Sequence, residues 1–130
     1  MNNPSSYNDL AARIFDFNIS GFEELAIDVF HFQYENNAVY RQFSDTLGID
    51  PGSVSTVQQI PFLPISFFKT HRVQSTSFEP EMIFESSGTT GSVSSRHYVK
   101  DLGLYTRNFL KGFAQFYGDP GDWCIIGLLP

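Results

Sequence analysis

Phe84-Glu85-Ser86-Ser87-Gly88-Thr89-Thr90-Gly91-Ser92-Val93-Ser94-Ser95-Arg96-His97 sets two glycines in a run of hydroxyl side chains, between two apolar-patterned segments. Glycine lets the backbone pass through positive φ and approach a ligand closely, while Ser and Thr add short rotatable donors that suit phosphate oxygens. Met82-Ile83-Phe84 has the pattern of a strand entering this loop, and His97-Tyr98-Val99 that of a strand leaving it. The loop is therefore expected to be hairpin-like.

Downstream, Asp101 is placed to cap a helix whose Tyr105, Phe109, Phe113 and Phe116 share one face, ended by Gly118 and Pro120. That aromatic face is core by default. The continuous apolar run from Trp123 to Leu129 then predicts a buried central strand, with Cys124 as inert packing inside it. Residues 81–130 thus read as a β-loop-β-α-β unit. Such a unit invites further strands and a covering helix, so the pattern predicts that the chain continues past Pro130. An edge left open there could pair with a second copy of the chain.

Upstream, apolar residues recur at helical spacing. Leu10, Ile14 and Phe17 define a short amphipathic helix from Tyr7 to Phe17. Ser20 and Glu23 form a capping-box pattern before a longer helix that carries Phe22, Leu25, Ala26, Val29 and Phe30 and runs to about Asn36. A third helix, Val39 to Leu47, stops at Gly48, a natural left-handed cap. Asp50-Pro51-Gly52-Ser53 is turn chemistry, and Pro61 and Pro64 hold the next stretch extended or in one short helical turn. Ile65, Phe67 and Phe68 are expected to be buried, and Lys69, His71 and Arg72 form the densest positive patch. The organisation is one domain or part-domain: 1–50 helical, 51–80 a Pro-containing connector, 81–130 the loop unit.

Composition removes several function classes. The chain has 130 residues, enough for a real core, and its 14 Phe and 6 Tyr predict one built from aromatic rings. A formal charge of -6 with only 8 Lys and Arg leaves no broad basic field for nucleic acid. An anionic nucleotide must then be held by local geometry. A single cysteine excludes an internal disulfide and a thiolate metal cluster, and fits a reducing, cytoplasmic setting. No apolar run reaches membrane-spanning length. His31, on the apolar helix, reads as packing, and His97 beside the loop has the better claim to a role.

The loop is not a P-loop, because after four intervening residues from Gly88 the chain has Val93 and no Gly-Lys pair. It is not a dinucleotide fingerprint either, since Gly88-x-x-Gly91 opens into a strand and not a helix. Ser86-Ser87-Gly88-Thr89-Thr90-Gly91 resembles the phosphate-binding signature of the adenylate-forming superfamily, the acyl-CoA synthetases, luciferases and adenylation domains. Ile60-Pro61-Phe62-Leu63-Pro64-Ile65-Ser66-Phe67-Phe68-Lys69, followed by this loop and Ser95-Arg96-His97, looks like the acyl-protein synthetase branch, the bioluminescence-type fatty-acid ligases. The resemblance spans about Ile60 to Pro130.

The resemblance implies an α/β fold, here N-terminal helices packed on the beginning of the sheet. It also implies ATP and Mg2+ as cofactors, and activation of a carboxylic acid as its acyl-adenylate. A thiol, of coenzyme A or a protein cysteine, then takes the acyl group. Ser86, Ser87, Gly88, Thr89, Thr90 and Gly91 would hold the departing phosphates. Most of the superfamily follows the last glycine with Pro-Lys, whereas this chain has Ser92-Val93-Ser94-Ser95-Arg96, so Arg96 is the candidate for the missing positive charge. No catalytic residue or metal ligand is assigned. Without the superfamily's later motifs these residues alone are expected not to turn over. The alternative is a non-catalytic phosphate-binding or protein-interaction domain using the same loop.

Overall fold

A computed structural model describes residues 6–16, 19–86, 93–124 and 126–127. It is mixed α/β and divides into two compact units, Met1–Lys100 and Asp101–Pro130.

The first unit begins with α1 (Tyr7–Asp16), α2 (Phe22–Asn36) and α3 (Ala38–Thr46). Leu10 and Leu25 are buried, and Arg13 bonds Asp28 of α2 at 2.7 Å while also holding Asp9 one turn back at 3.2 Å. The residue at the N-cap of α2 is Gly21, with Ser20 in a preceding 3-10 turn, so the expected Ser20–Glu23 box is not the cap. Glu23 has another task. Its carboxylate accepts from the backbone N–H of Val57, far along the chain, at 3.2 Å. Asn37 separates α2 from α3 and caps the latter, its Oδ1 accepting from Tyr40 N. α3 ends as expected: Gly48 has φ +71°, and Gly48 N–H and Ile49 N–H donate to the carbonyls of Asp45 and Ser44, satisfying the last turn in a Schellman pattern.

Phe30, Tyr40 and Val54 form the core, with Tyr34, Phe43, Ile49, Ile60 and Leu63 packed around them. The aromatic expectation holds here, since the Phe30 and Tyr40 rings meet edge to face at 6.2 Å. The Pro-containing stretch contributes Val54, Ile60 and Leu63 to this core, and its Pro61 carbonyl accepts from the Tyr40 hydroxyl at 2.7 Å. Tyr40→Phe is expected to cost about 1 kcal/mol, read by urea denaturation, through loss of that bond. Burial pushes the Tyr40 phenol above its ordinary pKa of 10.0. The folded state thus holds this proton more tightly than the unfolded chain. Its contribution is intact below about pH 10 and is lost as pH rises through the folded value, so Tyr40→Phe should flatten the alkaline fall in stability.

α4 (Phe67–Thr70) is the short helical turn after Pro64. Phe67 and Phe68 are half-buried, against Phe43 and His97 respectively, but Ile65 is 76% exposed, which corrects the expectation of burial. It sits in the turn before α4, and the two phenylalanines of the helix, not Ile65, are the half-buried ones.

In the second unit α5 (Leu102–Tyr117) starts at Asp101, whose Oδ1 accepts from Leu104 N at 2.8 Å, and ends at Gly118 with φ +80°. The predicted strand after it is not formed among the described residues 123–124 and 126–127. Pro120–Asp122 makes a tight 3-10 turn, and Trp123 folds back so that its Nε1 donates to Tyr117 O at 2.8 Å and its ring meets Phe113 and Tyr117. Cys124 is exposed, not packed inside a strand, and Tyr105, Phe109 and Phe116 are also exposed, so the aromatic face is not core here.

Candidate functional site

β1 (Met82–Glu85) and β2 (Arg96–Val99) pair antiparallel, with Met82 opposite Val99, Ile83 opposite Tyr98, Phe84 opposite His97 and Glu85 opposite Arg96. The hairpin expected from the sequence is present, and the glycine loop joins the Glu85 and Arg96 ends of its two strands. Two bonds close the base of that loop. Ser86 N–H donates to Ser95 O at 3.1 Å, and Ser86 Oγ accepts from Ser95 N–H at 3.0 Å.

Ser95 is buried. Ser86→Ala therefore leaves a buried N–H without its acceptor, which should cost about 1–3 kcal/mol. Faster amide exchange at Ser95 in the variant, read by NMR, would report this directly; unchanged exchange would deny Ser86 its role as the clasp.

Of the candidate phosphate-binding residues, the structure describes Ser86 and Arg96 at the two sides of the loop. Ser87, Gly88, Thr89, Thr90 and Gly91 lie outside the described residues. Arg96 Nε donates to Glu85 Oε1 at 2.8 Å, and both side chains are more than half exposed. The Glu85 hydrogen bond and charge raise the Arg96 pKa, so the guanidinium stays protonated at any working pH. At rest this charge is balanced by a carboxylate that an incoming phosphate would have to displace.

Successive strand residues face opposite ways, so Arg96 and Tyr98 share one face of β2 and His97 lies on the other. The His97 ring stacks on Phe68 of α4 at 4.5 Å, with the planes 19° apart. His97 thus anchors the hairpin to α4 and is turned away from Arg96. His71 stacks on Phe67 at 5.0 Å and His31 lies against Phe30 at 5.1 Å. The positive patch is divided: Lys69 is exposed, while the Arg72 guanidinium lies 4.7 Å from the centre of the Tyr98 ring. No grouping of three or more His, Cys, Asp or Glu side chains suited to a metal ion occurs among the described residues. No described helix is long and apolar enough to cross a membrane.

A helical layer whose core reaches into a Pro-containing segment, and a hairpin presenting a Gly/Ser/Thr loop, define a mixed α/β chain built around a hairpin loop. Residues 15–108 match the family model of acyl-protein synthetase, LuxE, well over half of the chain, and the protein belongs to that family. The matched span includes the whole hairpin and its loop. No curated protein and no solved structure gives a significant match to the chain.

Proposed function

We propose that this chain serves an ATP-dependent acyl ligase of the adenylate-forming type, and that the loop from Ser86 to Gly91 holds the β- and γ-phosphates of ATP. The carboxylate of a fatty or other organic acid attacks the α-phosphorus. The bond to the bridging oxygen breaks, pyrophosphate leaves with its electron pair, and an acyl-adenylate remains. A thiol then attacks the acyl carbon, forming a thioester and releasing AMP. Family membership favours a protein cysteine as that thiol.

The observation that carries this reading is the position of Arg96. It opens β2 at the mouth of the loop, where the superfamily's Pro-Lys charge is missing from the sequence, and a guanidinium can fork onto two phosphate oxygens. Backbone N–H groups around Gly88 and Gly91 and the hydroxyls of Ser86, Ser87, Thr89 and Thr90 would follow charge as it builds on pyrophosphate. This is positioning and charge stabilisation, and no general base is required at the loop. The described residues offer no cage for Mg2+; the ion is commonly carried on nucleotide phosphates with only one or two carboxylates.

Calorimetry with a non-hydrolysable acyl-adenylate analogue, ATP and pyrophosphate tests the proposal. The analogue should bind at least tenfold more tightly than ATP. Pyrophosphate binding with no preference for the analogue would favour a non-catalytic phosphate-binding domain instead.

A further inference from the structure

Away from the glycine loop, an open cleft of about 540 Å³ lies where α2 meets α3, against residues 72–79. Its walls mix two chemistries. Ala38, Val39 and Phe78 are apolar, while Arg72, Ser77 and Glu79 are polar or charged. Its volume is in the range of small-molecule sites.

The backbone beside it is held in an unusual state. Thr76 has φ +65°, the one non-glycine residue with positive φ among the described residues, and a β-branched side chain disfavours that region. Thr76 N–H donates to Asn36 O at 2.8 Å, and Gln74 Nε2 donates to Thr76 O at 3.0 Å. Gln74 in turn accepts from Arg72 Nε through Oε1 at 2.6 Å. Strain of this kind persists where surrounding contacts over-determine it, and it concentrates at ligand sites.

The result is an oriented cation. Arg72 is fixed at Nε by Gln74 and across its flat face by Tyr98, and its Nη groups have no hydrogen bond or ion pair among the described residues. Arg13 and Arg96, by contrast, are paired with carboxylates, and Arg41 donates to the carbonyls of Tyr34 and Glu35.

We infer that this cleft binds a small organic monocarboxylate, with the carboxylate forked onto the Nη groups of Arg72 and the carbon chain along Ala38, Val39 and Phe78. One guanidinium matches one carboxylate in two parallel hydrogen bonds. Glu79 in the same cleft disfavours a polyphosphate, which would bring several negative charges beside it. Identifying this acid with the one activated rests on the ligase reading, but the site itself does not. Arg72 also touches Tyr98 on β2, two residues from Arg96, so an occupied cleft adjoins the hairpin that carries the phosphate loop. Gln74 is a positioning residue acting through Arg72.

The test is a two-dimensional amide NMR titration of the whole chain with octanoate, with octan-1-ol as the uncharged control. Octanoate should shift the amides of Val39, Ser77 and Phe78 saturably. Arg72→Gln should weaken it at least tenfold with an unchanged melting temperature, and Gln74→Leu several-fold while leaving octanol untouched. Octanoate binding that survives Arg72→Gln, shifts confined to α5, or equal affinity for octanol would overturn the site. Pyrophosphate titrated into the same sample separates the two readings. Octanoate in the cleft without pyrophosphate at the loop would remove the phosphate-loop reading and keep the cleft; the converse would do the reverse.

Discussion

Phe30→Ala is expected to lower stability by about 3–5 kcal/mol, the usual cost of emptying the place of a buried aromatic ring. Phe30 is 2% exposed and touches both sides of the first unit's core: Tyr34 on its own helix, and Tyr40 on α3. Neighbouring rings are stiff and collapse poorly into a void, so both the transfer and the cavity contributions are felt. A domain stabilised by only about 5–15 kcal/mol loses a large fraction of its margin. Phe30→Leu should cost much less, because most of the volume is retained. Urea denaturation of both variants checks this, and a loss below about 1 kcal/mol for the alanine variant would show that the core lies elsewhere.

The second large effect concerns the pair across the hairpin. Arg96→Ala should weaken ATP or pyrophosphate binding about tenfold or more, since hydrogen bonds to charged groups contribute about 1.5–3 kcal/mol. Glu85→Gln should act the other way and tighten it. In the free protein Glu85 holds Arg96 at 2.8 Å, and a phosphate must compete with that carboxylate. Because the pair is exposed, its own contribution to stability is small, so neither variant should shift the melting temperature by more than a degree or two. Calorimetric titration of the two variants side by side reads both signs. Unchanged affinity in Arg96→Ala would mean that the loop draws its charge from another residue.

Most local signals in the sequence translated into structure, the Ser20–Glu23 box being an exception. Gly48 and Gly118 stop their helices at positive φ, Asp101 caps α5, and the two strands flanking the loop pair as their patterns predict. The caps need only a backbone conformation or a hydrogen bond within one turn, and the two strands are joined by a single loop. Interactions across long separations were not legible. Glu23 capping the turn at Val57, the Tyr40 hydroxyl on Pro61, and Arg72 on Tyr98 all join segments whose approach is decided by the packed core. The same holds for errors of burial. Ile65 and Ile126 are apolar enough to be core, but hydrophobicity alone does not specify a partner, and Trp123 takes the end of α5.

For the candidate site, the residue types were legible and the setting was not. Ser86 stood out as one of several hydroxyls, yet its particular function is to accept from the buried Ser95 N–H and close the loop's base. Arg96 stood out as a charge replacing a missing lysine, but no sequence rule announced Glu85 as its resting partner. That pairing follows from strand register, which is fixed only once the hairpin forms. The strained Thr76 gave no local signal at all, because threonine is a poor choice for its backbone conformation.

The central claim is that the hairpin loop of this acyl-protein synthetase family member is a phosphate cradle. Pyrophosphate titrated into isotope-labelled protein, followed through the amides from Ser86 to Arg96, tests it most directly. The account predicts saturable shifts concentrated in that segment and weakened by Arg96→Ala. Pyrophosphate that leaves those amides unmoved would contradict it.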